Sequence, residues 1–279
     1  MLKRIVTSVC AVCVLLPVLF FSNTFALPLG VAAVALIATY EMAKCMGLHR
    51  RIGLLLPMYV FAVGFPFLAR YLRDFARFGM IAFIAISGYL LYLFFLVIRS
   101  HGKLSFQSAL TFFAVQLYIF VALSAILCIH DYYNGGRFLY VLIFLGAWIT
   151  DIFAYFTGVF FGKHKLIEDV SPKKTIEGSI GGILFCALFY ICYGLIIAHF
   201  FNVNVNIVFL GISGMILSVI SQIGDLIMSV IKRHYGIKDF GKLFPGHGGV
   251  LDRFDSILAV SLGLAAIVVF SNLISLPLM

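Results

Sequence analysis

The sequence predicts an all-α integral membrane protein with about nine transmembrane helices. Three observations carry that reading. Of 279 residues, 63% are hydrophobic and only 11% are charged, against about 45–50% and about 25% in soluble domains. The mean hydropathy is +1.13. The apolar residues also gather into stretches near the roughly 20 residues a membrane-spanning helix needs. A soluble protein this apolar would have no polar surface to show to water, so lipid must be the main solvent.

In chain order the stretches lie at about 5–21, 25–43, 52–69, 78–98, 105–128, 138–161, 179–200, 206–231 and 251–275. The first has features of a signal peptide: Lys3 and Arg4 precede an apolar core, and Thr24-Phe25-Ala26 is loosely cleavage-like. With eight further spans behind it, it reads as a retained helix. Positive charge supports the count. With a cytoplasmic N-terminus, the cytoplasmic side receives Lys3, Arg4, Lys44, Arg50, Arg51, Arg99, Lys103, Lys163, Lys165, Lys173, Lys174, Lys232, Arg233, Lys238, Lys242 and Arg253. The opposite side, where the C-terminus falls, receives Arg70, Arg73, Arg77 and Arg137. That asymmetry is the positive-inside bias.

The formal net charge of +9 therefore reads as loop anchoring and contact with anionic headgroups. Nucleic-acid binding is excluded, since no basic stretch lies on a polar, soluble helix. Cys10, Cys13, Cys45, Cys128, Cys186 and Cys192 are scattered, mostly in apolar runs. They read as small apolar fillers, with neither a disulfide framework nor a zinc signature.

Polar character is uneven. Only Glu41, Asp74 and Asp131 precede Asp151 among the acidic residues. Residues 1–130 thus read as a transmembrane scaffold of about five spans. Residues 131–279 read as a catalytic region of about four spans with two cytoplasmic loops, near 162–178 and 232–250.

In the eighth span, Ser218, Ser221, Asp225, Ser229 and Lys232 follow one another at intervals of three or four residues, a single stripe on a helix. A carboxylate at mid-membrane costs about 3 kcal/mol on insertion scales, so the stripe must face a polar interior. The next loop, Lys232 to Gly249, holds four cations and five glycines in eighteen residues. Gly246, Gly248 and Gly249 around His247 permit unusual backbone shapes and close approach of amides to a ligand. With Lys232, Arg233, Lys238 and Lys242 this makes a natural phosphate cradle, the plainer reading being a basic cytoplasmic loop.

Val250-Leu-Asp252-Arg253-Phe-Asp255 follows directly. Asp252 and Asp255 are three apart, on one face of a helix start that tolerates negative charge. Two close carboxylates in an apolar wall call for a cation, and hard oxygen ligands beside a phosphate substrate suggest Mg²⁺, with Asp225 completing the set. A third element comprises Asp151-Ile-Phe-Ala-Tyr155, Lys163-His-Lys165 and Ser171-Pro-Lys173-Lys174-Thr175-Ile-Glu177-Gly178. Asp151 sits inside the sixth span, while Lys173, Lys174 and Thr175 offer charge and a hydroxyl to a headgroup or nucleotide phosphate. Gly178 to Gly182 opens a helix that packs closely.

Ser229-Val-Ile-Lys232-Arg233, four residues, Lys238-Asp239, then Pro245-Gly-His247-Gly248-Gly249-Val-Leu-Asp252-Arg253-Phe-Asp255 resembles the signature of the phosphatidate cytidylyltransferases (CDP-diacylglycerol synthases). The resemblance covers about 130 C-terminal residues. It implies that the phosphate of phosphatidic acid attacks the α-phosphorus of CTP, giving CDP-diacylglycerol and pyrophosphate. It further implies Mg²⁺ dependence with a second cation possible, a homodimer, and a bilayer that delivers the lipid laterally. On that footing Asp225, Asp252 and Asp255 hold the metal, and Lys232, Arg233, Lys238 and Lys242 neutralise the triphosphate. His247 positions substrate or contacts phosphate. Ser229, Asp239, Gly248, Gly249, Arg253, Asp151, Lys173, Lys174 and Thr175 complete the substrate contacts.

Two other readings stay open. A CTP-dependent lipid kinase of the polyprenol type shares part of this arrangement but would favour a general base for its alcohol nucleophile. An ion-coupled transporter would use Asp151 and Asp225, but should show related halves with interrupted helices, and no internal repeat is found. The absence of an appended soluble domain favours a bacterial inner membrane with the site facing the cytoplasm.

Overall fold

The computed structural model describes residues 13, 15–72, 74–244, 246, 248–274 and 278. Among them are eight helices long and apolar enough to cross a membrane: α1 (Ala26–Cys45), α2 (Ile52–Leu72), α3 (Phe75–Arg99), α4 (Phe106–Tyr132), α5 (Gly136–Phe161), α6 (Ile176–Phe201), α7 (Ile207–His234) and α8 (Leu251–Leu273). They match the last eight expected spans, and the chain is an all-α integral membrane protein. The first expected span, 5–21, lies largely outside the described residues. The loop expected at 162–178 contains a short hairpin, β1 (Lys165–Ile167) with β2 (Ser171–Thr175), paired antiparallel. The chain divides into two compact units. One comprises the chain up to Tyr132 with Ile237–Asp252, the other Tyr133–Gly236 with the chain from Arg253 onward.

In the first unit, α1 to α4 bury Leu54, Leu93, Phe112 and Ile119. Their few polar groups are spent on joining helices, because lipid offers no alternative partner. Thr39 Oγ1 on α1 lies 3.2 Å from Gln116 Oε1 on α4. The Tyr89 hydroxyl of α3 donates to Leu54 O of α2 at 3.1 Å, and Tyr132 of α4 donates to Ala69 O at 2.7 Å. Pro57 and Pro66 sit inside α2, as membrane helices tolerate. Asp74 opens α3, its carboxylate accepting the Arg77 N–H at 3.1 Å. Arg70 is tied to Asp131 at 2.5 Å and donates to the carbonyls of Ser22 and Thr24.

In the second unit, α5 and α6 pack closely. A Cβ at Gly181 would overlap Thr157, and the buried Tyr190 hydroxyl donates to Leu142 O at 2.6 Å. The hairpin seats α6: Ile176 N donates to His164 O at 3.0 Å, and Glu177 accepts the backbone N–H groups of Lys163 and His164 at 3.1 and 3.2 Å. Thr175 caps α6, its hydroxyl accepting the Gly178 N–H at 3.1 Å. Asn206 does the same for α7 through Phe209 N at 3.0 Å.

Candidate active site

In the second unit the serine stripe of α7 turns inward. Ser218 and Ser221 are buried, Thr150 Oγ1 of α5 donates to Ser218 Oγ at 2.8 Å, and Gln222 Nε2 donates to Ser179 O of α6 at 3.3 Å. One turn on, Asp225 Oδ2 meets Lys174 Nζ at 2.5 Å, the two side chains about a quarter exposed. Lys174 comes from β2 and also reaches Gln222 O at 3.4 Å. Asp255 of α8, which is 8% exposed, lies beside the Asp225 carboxylate, and Asp151 of α5 is a further charged neighbour of both. Arg253 and Lys174 are the cations that act on Asp151. Three helices and one strand thus supply three carboxylates and two cations to one region. Carboxylates brought this close need a shared proton or a cation between them.

In the first unit the Ile237–Asp252 segment is organised by two buried carboxylates. Asp252 Oδ2 accepts the N–H groups of Phe240 at 2.8 Å and Gly249 at 2.9 Å. Glu41 of α1, 4% exposed, accepts Val250 N–H at 3.0 Å through Oε1 and Leu251 N–H at 2.9 Å through Oε2. These are among the donors that every helix start leaves without an intrahelical partner. A Cβ on Gly249 would lie 2.5 Å from Glu41 Cδ and 2.6 Å from Oε2. Phe244 N donates to Gly248 O at 2.9 Å. Glu41 was missed by sequence reasoning, which assigned the early spans to scaffold. The available signal was a carboxylate inside an otherwise apolar helix.

The expected site residues distribute accordingly. Asp151, Lys173, Lys174, Thr175, Asp225, Ser229, Lys232, Arg233, Arg253 and Asp255 belong to the second unit; Lys238, Asp239, Lys242, Gly248, Gly249 and Asp252 belong to the first. His247 lies outside the described residues. Lys238, Asp239 and Lys242 are exposed, whereas Gly249 and Asp252 are buried. Ser229 and Lys232 are half-buried at the end of α7, with Arg233 exposed. Thr175 spends its hydroxyl on the α6 cap. Among the described residues no three His, Cys, Asp or Glu side chains form a group that would hold a metal ion by themselves. The Asp225–Asp255 pair does bring together hard carboxylate oxygens of the kind a divalent cation takes.

The chain resembles known proteins over much of its length. It is 51% identical over 118 residues to the phosphatidate cytidylyltransferase of Staphylococcus aureus (strain COL), 42% of this chain and 44% of that protein. It is 46% identical over 127 residues to the phosphatidate cytidylyltransferase of Staphylococcus haemolyticus, 46% of this chain and 47% of that protein. It is 40% identical over 163 residues to that of Staphylococcus epidermidis (strain RP62A), 58% and 60%. The chain spans about half the length of these curated relatives. The family model described as the Cytidylyltransferase family matches residues 2–271. On that match, which runs from before α1 into the last turn of α8, the chain belongs to the Cytidylyltransferase family.

Proposed function

We propose that this protein transfers the cytidylyl group of CTP to phosphatidic acid. A phosphate oxygen of the lipid attacks the α-phosphorus of CTP, the bond from that phosphorus to the bridging oxygen breaks, and pyrophosphate leaves. The observation that carries the reading is the convergence of Asp151, Asp225 and Asp255 with Lys174 and Arg253. The attacking phosphate is already ionised, so the protein needs to position and neutralise rather than abstract a proton.

Asp225 and Asp255 would hold Mg²⁺, with Asp252 one turn before Asp255 on α8. Bound there, the ion would offset charge on the nucleotide phosphates. Lys174 orients Asp225. Lys232 and Arg233, closing α7, and Arg253 supply positive charge for the triphosphate. The site faces the cytoplasm of a bacterial inner membrane, the side on which the loop cations gather, and the protein works as a homodimer.

The test supplies purified full-length protein with labelled CTP and phosphatidic acid, with and without Mg²⁺. CDP-diacylglycerol and pyrophosphate in equal amounts, only with the cation, are expected. Asp255→Asn should abolish the product in protein that stays folded in detergent. CDP with a phosphorylated lipid alcohol would instead mark a lipid kinase, and no nucleotide turnover would overturn the reading.

A further inference from the structure

We infer that Glu41 is a positioning residue: from α1 it fixes the first turn of α8, and so the presentation of Asp252 and Asp255. The inference rests on the reading above, in which those carboxylates serve cytidylyl transfer.

The geometry is specific to a carboxylate. Val250 N–H meets Oε1 and Leu251 N–H meets Oε2, so two donors use two separate acceptor oxygens. Glutamine has only one acceptor, and its NH₂ would face the second donor. Glu41 is separated from these partners by more than 200 residues, so no local rule of helix capping requires it. The surrounding chain is shaped to admit it. Built Cβ atoms on Gly241 and Gly249 both overlap the Glu41 carboxylate, and the three atoms nearest the Gly249 position all belong to Glu41. Asp252 secures the same turn from the other side through Gly249 N and Phe240 N. Glu41 and Asp252 are 4% and 8% exposed. Water is therefore a poor substitute for either acceptor, and removing one leaves buried donors unsatisfied. Since α8 continues without interruption from Leu251 to Leu273, a frayed first turn releases Asp252 directly and loosens Asp255 one turn on.

The experiment compares wild type, Glu41→Gln and Gly249→Ala, each as the full chain in nanodiscs, by hydrogen exchange and by steady-state kinetics. Exchange in the peptide containing Val250 and Leu251 should quicken by about tenfold or more in both variants, with α5 and α6 unchanged. The kcat should fall about 10- to 100-fold, the range for losing a group that orients a ligand-bearing residue, while the KM for phosphatidic acid stays within about twofold. Combining Gly249→Ala with Glu41→Ala should cost less than the two losses multiplied, because the added methyl then enters the space the carboxylate left. If Glu41→Gln does not fold, Gly249→Ala carries the same test. Unchanged exchange, or faster exchange with wild-type kcat, overturns the inference. If wild type itself makes no CDP-diacylglycerol, the functional reading fails separately, and exchange alone decides whether Glu41 holds the turn.

Discussion

Gly224 gives the sharpest test of the carboxylate cluster. It precedes Asp225 on α7 and lies against the first turns of α8. A Cβ built there falls under 3.0 Å from Ala259 Cβ and stands 3.0 Å from the carbonyl oxygen of Asp255. Ordinary carbon contacts are about 3.5–4.0 Å, so Gly224→Ala forces α7 and α8 apart by about 1 Å. Overpacking of that kind costs about 1–3 kcal/mol. The same displacement separates Asp225 from Asp255, and a misplacement of about 1 Å at a reacting centre costs about 100-fold in rate. Gly224→Ala should therefore lower the detergent melting temperature by a few degrees and reduce CDP-diacylglycerol formation by about two orders of magnitude. Ala259→Gly removes one of the two clashes. The double variant, measured against Ala259→Gly alone to cancel the helix cost of glycine (about 1 kcal/mol), should recover part of the lost rate. Wild-type turnover in Gly224→Ala would refute the reasoning, as would a double variant no better than the single one.

Two further outcomes are expected. Lys174→Met removes the ammonium group 2.5 Å from Asp225 Oδ2; the half-saturating Mg²⁺ concentration should fall because a competitor for the carboxylate is gone, while kcat drops, and a Mg²⁺ titration with an unchanged midpoint would count against the pair. Arg70→Met strips Asp131 of a partly buried counter-ion and two backbone carbonyls of their donor; it should cost about 3–5 kcal/mol, seen as a lower unfolding midpoint, with the KM for CTP unchanged in protein kept folded at low temperature.

Hydropathy made the eight helices legible because lipid imposes one rule on every span, a long apolar run with its backbone satisfied internally. Asp151, Asp225 and Asp255 were legible for the complementary reason that a carboxylate in such a run demands a partner. The partners themselves were not. Lys174 reaches Asp225 because Ser171–Thr175 forms a strand ending at the α6 cap. A five-residue strand beginning Ser-Pro leaves too short a pattern to distinguish it from a loop. Glu41 was hidden by separation: nothing in the α1 sequence announces that the donors it accepts lie at the start of α8.

The glycine loop shows how composition and geometry can support different uses of the same residues. Glycines among cations suggest a phosphate cradle built from free amides. Yet Gly249 N–H is committed to Asp252 Oδ2, and the space beside it is filled by Glu41. Gly248 takes φ +86°, where a Cβ would lie 2.7 Å from Asp252 Oδ2, so this glycine serves the same internal carboxylate. Lys238 and Lys242 remain exposed. The glycines let two carboxylates bury themselves at the start of α8, and the lysines are what the segment offers to an anion. Replacing a glycine should then act through the position of α8, and replacing a lysine through nucleotide affinity. An amide cradle would not separate the two effects in this way.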